Sequence, residues 1–294
     1  MIELVEVSKQ FDSILAVDAL SIRVEEGRIC GFLGPNGAGK TTAIRMLMNI
    51  IHPDKGTILF DGSEQRPPAH RIGYLPEERG LYQKISVYET LQYFARLRKV
   101  QDAHQKITSY LKRFDLEKRL GSKVNELSKG NQQKLQFINT ILHNPQYVVL
   151  DEPFSGLDPV NQILLKEILE ELKAAGRTII FSSHQMDQVE KVCDDVALID
   201  QGKMILAGKM NEIKMAHGTP QLQITPQQDS DLEHPFFTDQ ATEIRTGSAY
   251  FSLTDIDKQK LIERANAQFD LRSVKITEPG LEEIFIDLIR GASK

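Results

Sequence analysis

The sequence predicts an α/β fold followed by a second, smaller α+β domain. Three observations carry this reading. The apolar run "RICGFLG" feeds a glycine-rich loop and then an amphipathic helix. Two more apolar runs, "YVVLDEP" and "TIIFSS", flank a long helical pattern, the alternation that builds a parallel sheet covered by helices. Near His217 the chain turns polar and proline-containing, and strand and helix patterns then resume.

Each element follows from local pattern. "MIELVEVSKQF" alternates and carries acids, so it reads as a strand and not as a secretion signal. Leu20, Ile22 and Val24 alternate as a second strand. After the glycine loop, Ile44, Leu47, Met48 and Ile51 recur at helical spacing, and the helix is expected to stop before Pro53. "GTILFDG" is a strand closed by an Asp-Gly turn. From Val87 to Asn144 the pattern is helical, clearest in "VYETLQYFARLRKV" and "HQKITSYLKRFDL".

"PVNQILLKEILEELKAAG" is a helix closed by Gly176, and "VALIDQGKMILAG" a hairpin. The stretch "HGTPQLQITPQQDSDLEHP" reads as a boundary. Beyond it come strands in "EIRTGSAYFSLT", the helix "DKQKLIERANAQF", the strand "RSVKIT" and a last helix. That helix aligns Leu281, Ile284, Phe285, Leu288 and Ile289, with Pro279 in its first turn. The expected domains are therefore 1–217, with a helical part over about 85–145, and 218–294. No internal repeat is visible.

Composition narrows the function. Hydrophobic residues make up 40% of the 294 and charged residues 26%, an ordinary globular balance. The net charge of −5 and the lack of a Lys/Arg block argue against nucleic acid as a partner. Cys30 and Cys193 sit in apolar runs without metal-ligand spacing, as buried thiols of a reducing compartment do. No apolar run approaches the roughly 20 residues that span a bilayer. A cytoplasmic protein is expected.

The chemistry concentrates in a few motifs. "GPNGAGKTT" runs Gly34, Pro35, Asn36, Gly37, Ala38, Gly39, Lys40, Thr41, Thr42 and fills every fixed position of G-x-x-x-x-G-K-[ST]. Glycine amides and a helix N-terminus would hold phosphates, Lys40 would neutralise charge, and Thr41 offers a hard oxygen to Mg²⁺. A tight glycine turn is the plain alternative, and correct flanks on both sides weigh against it.

Asp151 and Glu152 end a buried strand, where Asp151 suits a Mg²⁺ shell and Glu152 could polarise water. Taken alone, such a pair is often only a helix cap. His184 ends the next buried strand and would share their edge. A second phosphate-holding stretch, "LSKGNQQ", begins at Leu127; its Ser128 also reads as a helix N-cap.

The order of these motifs resembles that of the ATPase subunits of ATP-binding-cassette (ABC) transporters, over residues 1 to about 215. "GPNGAGKT" matches the Walker A loop, "VVLDEP" the Walker B strand, "SGLD" (Ser155 to Asp158) the D-loop, and "SSH" the switch histidine. "LSKGNQQ" stands in the place of the LSGGQ signature. The resemblance implies a P-loop ATPase domain with a RecA-like core, an antiparallel β subdomain and a helical subdomain. It implies ATP and Mg²⁺ as cofactors, Phe11 against adenine, and Asp158 at the nucleotide. It also explains the second phosphate element: in a head-to-tail dimer, Ser128 and Gly130 close the partner chain's ATP.

This chain departs from the signature at Lys129 and Asn131 while keeping Gly130. Glu77, in "IGYLPEERGLY", stands where the family has Gln, among the Mg²⁺ ligands. The C-terminal "EPGLEEIFIDLIRG", together with "YLPEERGLY", is similar to ABC-2-type exporters of the sodium-efflux kind. The resemblance thus implies an ATPase subunit that drives a separate multi-spanning permease. It would export ions such as sodium, or drugs, from the inner face of the cell membrane. An importer subunit, or a soluble relative acting on DNA repair or the ribosome, are the alternatives.

Overall fold

The computed structural model of the chain describes residues 1–78, 80–218, 220–253, 257–277 and 280–292. Its contacts divide it into two compact units, Met1–Lys209 and Met210–Lys294. Among the described residues, no helix is long and apolar enough to cross a membrane.

In the first unit the elements run β1 (Ile2–Phe11), β2 (Ile14–Val24), β3 (Ile29–Leu33), α1 (Lys40–Leu47), β4 (Lys55–Phe60) and β5 (Ile72–Leu75). The helices α2 (Val87–Leu97), α3 (Ala103–Arg113) and α4 (Lys129–Ile141) follow. The unit closes with β6 (Tyr147–Asp151), α5 (Pro159–Ala174), β7 (Thr178–Ser183), α6 (Met186–Val192), β8 (Asp195–Asp200) and β9 (Lys203–Lys209).

Two sheets result. One is antiparallel, in the order β2-β1-β4; the other has six strands in the order β5-β6-β7-β3-β8-β9. The neighbours from β5 to β8 pair in parallel, and only β9 runs against its neighbour. β3, β6 and β7 are buried at every position, which is why their middles read as continuous apolar runs, with Asp151, Ser182 and Ser183 as buried polar groups at the strand ends. The buried face of α1 (Ala43, Ile44, Met46, Leu47) joins one core with Ile2 and Leu4 of β1, Phe32 of β3 and Val149 of β6. That core fixes the glycine loop between β3 and α1.

Helix ends obey local chemistry. Ser86 caps α2 in a capping box: its hydroxyl accepts from the Glu89 N–H, and the Glu89 carboxylate accepts from the Ser86 N–H. Asp158 caps α5, with Pro159 at the first helical position and Gly176 in a left-handed conformation after its end. The β8–β9 hairpin turns at Gln201 and Gly202, both at positive φ, as a two-residue turn requires. One helix is shorter than its periodicity implies. α1 ends at Leu47, because Asn49 adopts φ 54°, and Ile51 packs on the core from outside the helix.

The second unit contains α7 (Met210–His217), β10 (Gln221–Pro226), α8 (Pro235–Thr238), β11 (Glu243–Arg245), β12 (Ser248–Ser252), α9 (Lys258–Gln268), β13 (Leu271–Thr277) and α10 (Leu281–Ala292). Its antiparallel sheet has the order β11-β12-β10-β13. Two findings differ from the sequence reading. Helix α7, placed at the end of the first domain, groups with the second unit. The polar stretch read as a boundary holds β10, an inner strand of the sheet. Its Leu222 and Ile224 are buried in a core with Phe236, Phe237 and Phe251. Leu281 and Ile284 of α10 are buried as expected, while Pro279 and the Ile289 side chain lie outside the described residues.

Candidate functional site

Parallel pairing brings the carbonyl ends of β5, β6, β7 and β3 to one edge of the six-stranded sheet. In open α/β sheets this edge is where ligands sit. Each strand delivers one element there: Glu77 after β5, Asp151 and Glu152 at the end of β6, His184 after β7, and the glycine loop after β3. A cleft of about 440 Å³ opens at this edge. It is lined by Asn36, Gly37, Gly39, Lys40, Thr41 and Thr42, by Glu77 and Glu152, and by Ile14 to Ala16 and the Gln201–Gly202 turn.

The loop is built to receive an anion. Its ammonium, on buried Lys40, donates to the carbonyl oxygens of Gly34 (2.7 Å) and Pro35 (2.9 Å). Burial holds the Lys40 pKa below its usual value, an effect that the carboxylates of Glu152, Asp151 and Glu77 offset only in part. The N-cap of α1 is Gly39, which has no side chain to close the first turn, so its amides stay available to a phosphate.

Gly39 has φ 103°, and a Cβ there would lie 2.4 Å from the Ala16 carbonyl oxygen. Gly39→Ala is therefore expected to cost more than about 1 kcal/mol of stability and to weaken nucleotide binding. Urea denaturation reads the first effect; an unchanged midpoint would contradict it.

Asp151 is 1% exposed. Its Oδ1 accepts from the Thr41 hydroxyl (3.3 Å) and the Ser182 hydroxyl (2.5 Å). Its Oδ2 is buried with no hydrogen-bond partner among the described residues. A buried carboxylate oxygen left unpaired is costly, and a divalent cation is a natural partner for it. Mg²⁺ commonly takes one or two carboxylates together with substrate phosphates. The Asp151–Thr41 pair beside the phosphate loop fits that requirement.

Glu152 adopts a left-handed backbone (φ 50°), a strain of about 1–3 kcal/mol. The Ser182 hydroxyl holds this conformation by accepting from the Glu152 N–H at 3.0 Å. His184 Nδ1 lies 2.9 Å from Glu152 Oε1, leaving Nε2 free to meet a ligand.

Asp151 and His184 do not line the cleft themselves but bond to Thr41 and Glu152, which do, and Gly34, Pro35 and Ala38 of the loop also lie outside the lining. Four further residues implicated by the sequence, on other segments, do not line it either. Phe11 pairs with Ile14 across the β1–β2 hairpin and is exposed, and the Lys9 ammonium lies 5.6 Å from its ring centroid. Ser128 caps α4, accepting from the Asn131 N–H at 3.3 Å. Gly130 packs so closely on the D-loop that a Cβ would sit 2.9 Å from the Gly156 carbonyl oxygen. Asp158 accepts from the Asn161 N–H, which holds its pKa below the usual carboxylate value.

Comparison with known proteins decides the family. The ABC transporter family model matches residues 17–155, and that for the C-terminal domain of DrrA1-3-like ATP-binding proteins matches residues 208–289. An uncharacterised ABC transporter ATP-binding protein of Bacillus subtilis, YhaQ, is 39% identical across 98% of both chains. The chain is an ABC transporter ATP-binding protein.

As such it binds nucleotide and is an ATPase. This ABC ATP-binding protein is also 36% identical to NatA of Bacillus subtilis, over 72% of this chain and 91% of that one. It shares 35% with the Nod factor export ATP-binding protein I of Burkholderia lata, over 87% and 83%. A solved ATP-binding subunit of an ABC transporter superposes with a TM-score of 0.67 at 27% identity, covering 73% of this chain and 92% of its own. The sheets and helices of the first unit are therefore those of the ABC ATPase fold, and the second unit is the added C-terminal domain.

Sequence reasoning missed three parts of the ABC site. Ser182 binds both Asp151 and the Glu152 backbone; it lay inside the "SSH" motif, where only the histidine drew notice. The Gln201–Gly202 turn comes from a segment read only as a hairpin, and the Ile14–Ala16 wall from residues given no element at all; pairing patterns do not say which turn faces a site.

Proposed function

We propose that this ATPase powers a separate membrane permease of the export type, and that two copies act head to tail. The observation that carries the chemistry is the convergence of Lys40, Thr41, Asp151, Glu152 and His184 on one sheet edge beside an unpartnered Asp151 oxygen. In this reading the loop amides and Lys40 bind the β- and γ-phosphates. Thr41, Asp151 and Glu77 would hold Mg²⁺, which would supply charge neutralisation at the phosphates. Glu152 takes the proton of the attacking water, and His184 Nε2 meets a γ-phosphate oxygen. Ser128, Gly130 and Asp158 serve the partner copy's nucleotide, which accounts for their lying outside their own cleft.

The export reading is supported by the relative whose name states export, the Nod factor export ATP-binding protein I. The helical segment also presents an apolar surface suited to a membrane partner. Tyr93 and Leu97 of α2 are exposed there, and Tyr82, in the turn just before the segment, sets its ring 6.0 Å from that of Tyr93. Purification of the tagged chain from membranes tests this. A multi-spanning partner that raises ATP turnover is expected; a chain that instead copurifies with ribosomes or DNA would overturn it.

Glu77 is the unusual ligand. A carboxylate binds Mg²⁺ more strongly than an amide oxygen but repels the γ-phosphate, by about 4 kcal/mol for unit charges about 4 Å apart at an effective dielectric of about 20. Glu77→Gln is expected to retain hydrolysis and to raise the Mg²⁺ concentration for half-maximal turnover about tenfold. Turnover curves superimposable on wild type would remove Glu77 from the site.

A further inference from the structure

Gln136 lies two turns into α4 and is 4% exposed. Its Nε2 donates to the carbonyl oxygens of Pro76 (3.3 Å) and Glu78 (3.2 Å), the residues on either side of Glu77. An amide nitrogen has two N–H donors, so both are spent on this one loop. Its Oε1 is buried and has no partner among the described residues. A leucine would fill the same space without stranding a polar oxygen, so packing alone gives no reason for an amide here.

The same helix is fastened to the sheet at neighbouring points. Thr140, one turn on, shares its hydroxyl proton between the Gln136 carbonyl oxygen of its own helix (2.9 Å) and the Tyr74 carbonyl oxygen of β5 (3.2 Å). A Cβ on Gly73 would lie 2.5 Å from the Thr140 carbonyl oxygen, so α4 and β5 meet backbone to backbone. Gln133 Nε2 donates to the Pro153 carbonyl oxygen at 3.2 Å, just past Glu152. The helix that opens at Ser128 is thereby tied to the ends of both β5 and β6.

We propose that Gln136 is a positioning residue for Glu77. Its two hydrogen bonds set the loop that presents Glu77 to the cleft and couple that loop to helix α4. Ser128 and Gln136 are eight residues apart, a span of about 12 Å along a helix. A shift at the Ser128 end is therefore carried as a rigid displacement to Glu77. The proposal rests on the reading of Glu77 as a site residue.

Gln136→Met tests it, keeping chain length and volume while removing both donors. Hydrogen–deuterium exchange across residues 74–78 should accelerate about tenfold while α4 stays protected. ATP binding without metal should be unchanged. Turnover should fall to that of Glu77→Ala, and the double variant should fall no further. Gln136→Asn, whose amide is one methylene short of the loop, should behave alike and serves if the Met variant does not fold. Unaltered exchange in a folded variant, or losses that multiply in the double variant, would overturn the coupling. Lys40→Ala run alongside separates the two ideas: normal ATP binding by that protein would sink the reading of the cleft, not the Gln136 tie.

Discussion

Glu152→Gln is expected to lower ATP turnover by at least about a hundredfold while leaving ATP binding intact, the scale of losing a general base. Glutamine keeps the size of the side chain, and the Ser182 hydroxyl still holds the residue-152 N–H, since that bond is to the backbone. What disappears is the carboxylate oxygen that faces His184 Nδ1 at 2.9 Å and that, in the proposed chemistry, would receive the water proton. The loop and Lys40, which carry binding, are untouched. ATP should therefore accumulate on the protein and, if two copies share each nucleotide, trap a dimer visible by gel filtration. Steady turnover at the wild-type rate would mean that another group activates the water.

The second large effect is expected at Ser128. Ser128→Asp preserves an N-cap acceptor for the Asn131 N–H, so α4 should fold with little loss of stability. It also places a negative charge where the partner's γ-phosphate would dock. The variant alone should be inactive, as should Lys40→Ala. Mixed, the two should regain roughly a quarter of wild-type turnover, because a mixed dimer pairs one sound loop with one sound signature. The recovered rate on mixing is the measurement. A fully active Ser128→Asp protein, or no recovery with Lys40→Ala, would rule out sites shared between chains.

Much of the first unit was legible because its signals are local and mutually consistent. "YVVLDEP" and "TIIFSS" are buried at every position of their strands, so apolar runs sufficed to find them. The glycine loop was legible because a strand and a helix flank it. What escaped notice follows one physical pattern: residues whose environment contradicts their chemistry. Gln133 and Gln136 are buried although glutamine marks surface in any periodicity argument. Leu222 and Ile224 form part of a core while set among glutamines and prolines. Such cases depend on partners far away in sequence, and only the fold brings those partners together.

The contact between Gly130 and the Gly156 carbonyl oxygen bears on how this motif can diverge. Of the three residues Lys129, Gly130 and Asn131, only the middle one meets its own chain's D-loop at a distance that excludes a side chain. Replacing it would push the D-loop away even in an isolated chain with no nucleotide bound. Lys129 opens α4 beside a serine cap, and Asn131 offers the cap its backbone N–H, which any residue but proline supplies. Mutational scanning of folded, nucleotide-free protein should therefore find positions 129 and 131 permissive and position 130 intolerant.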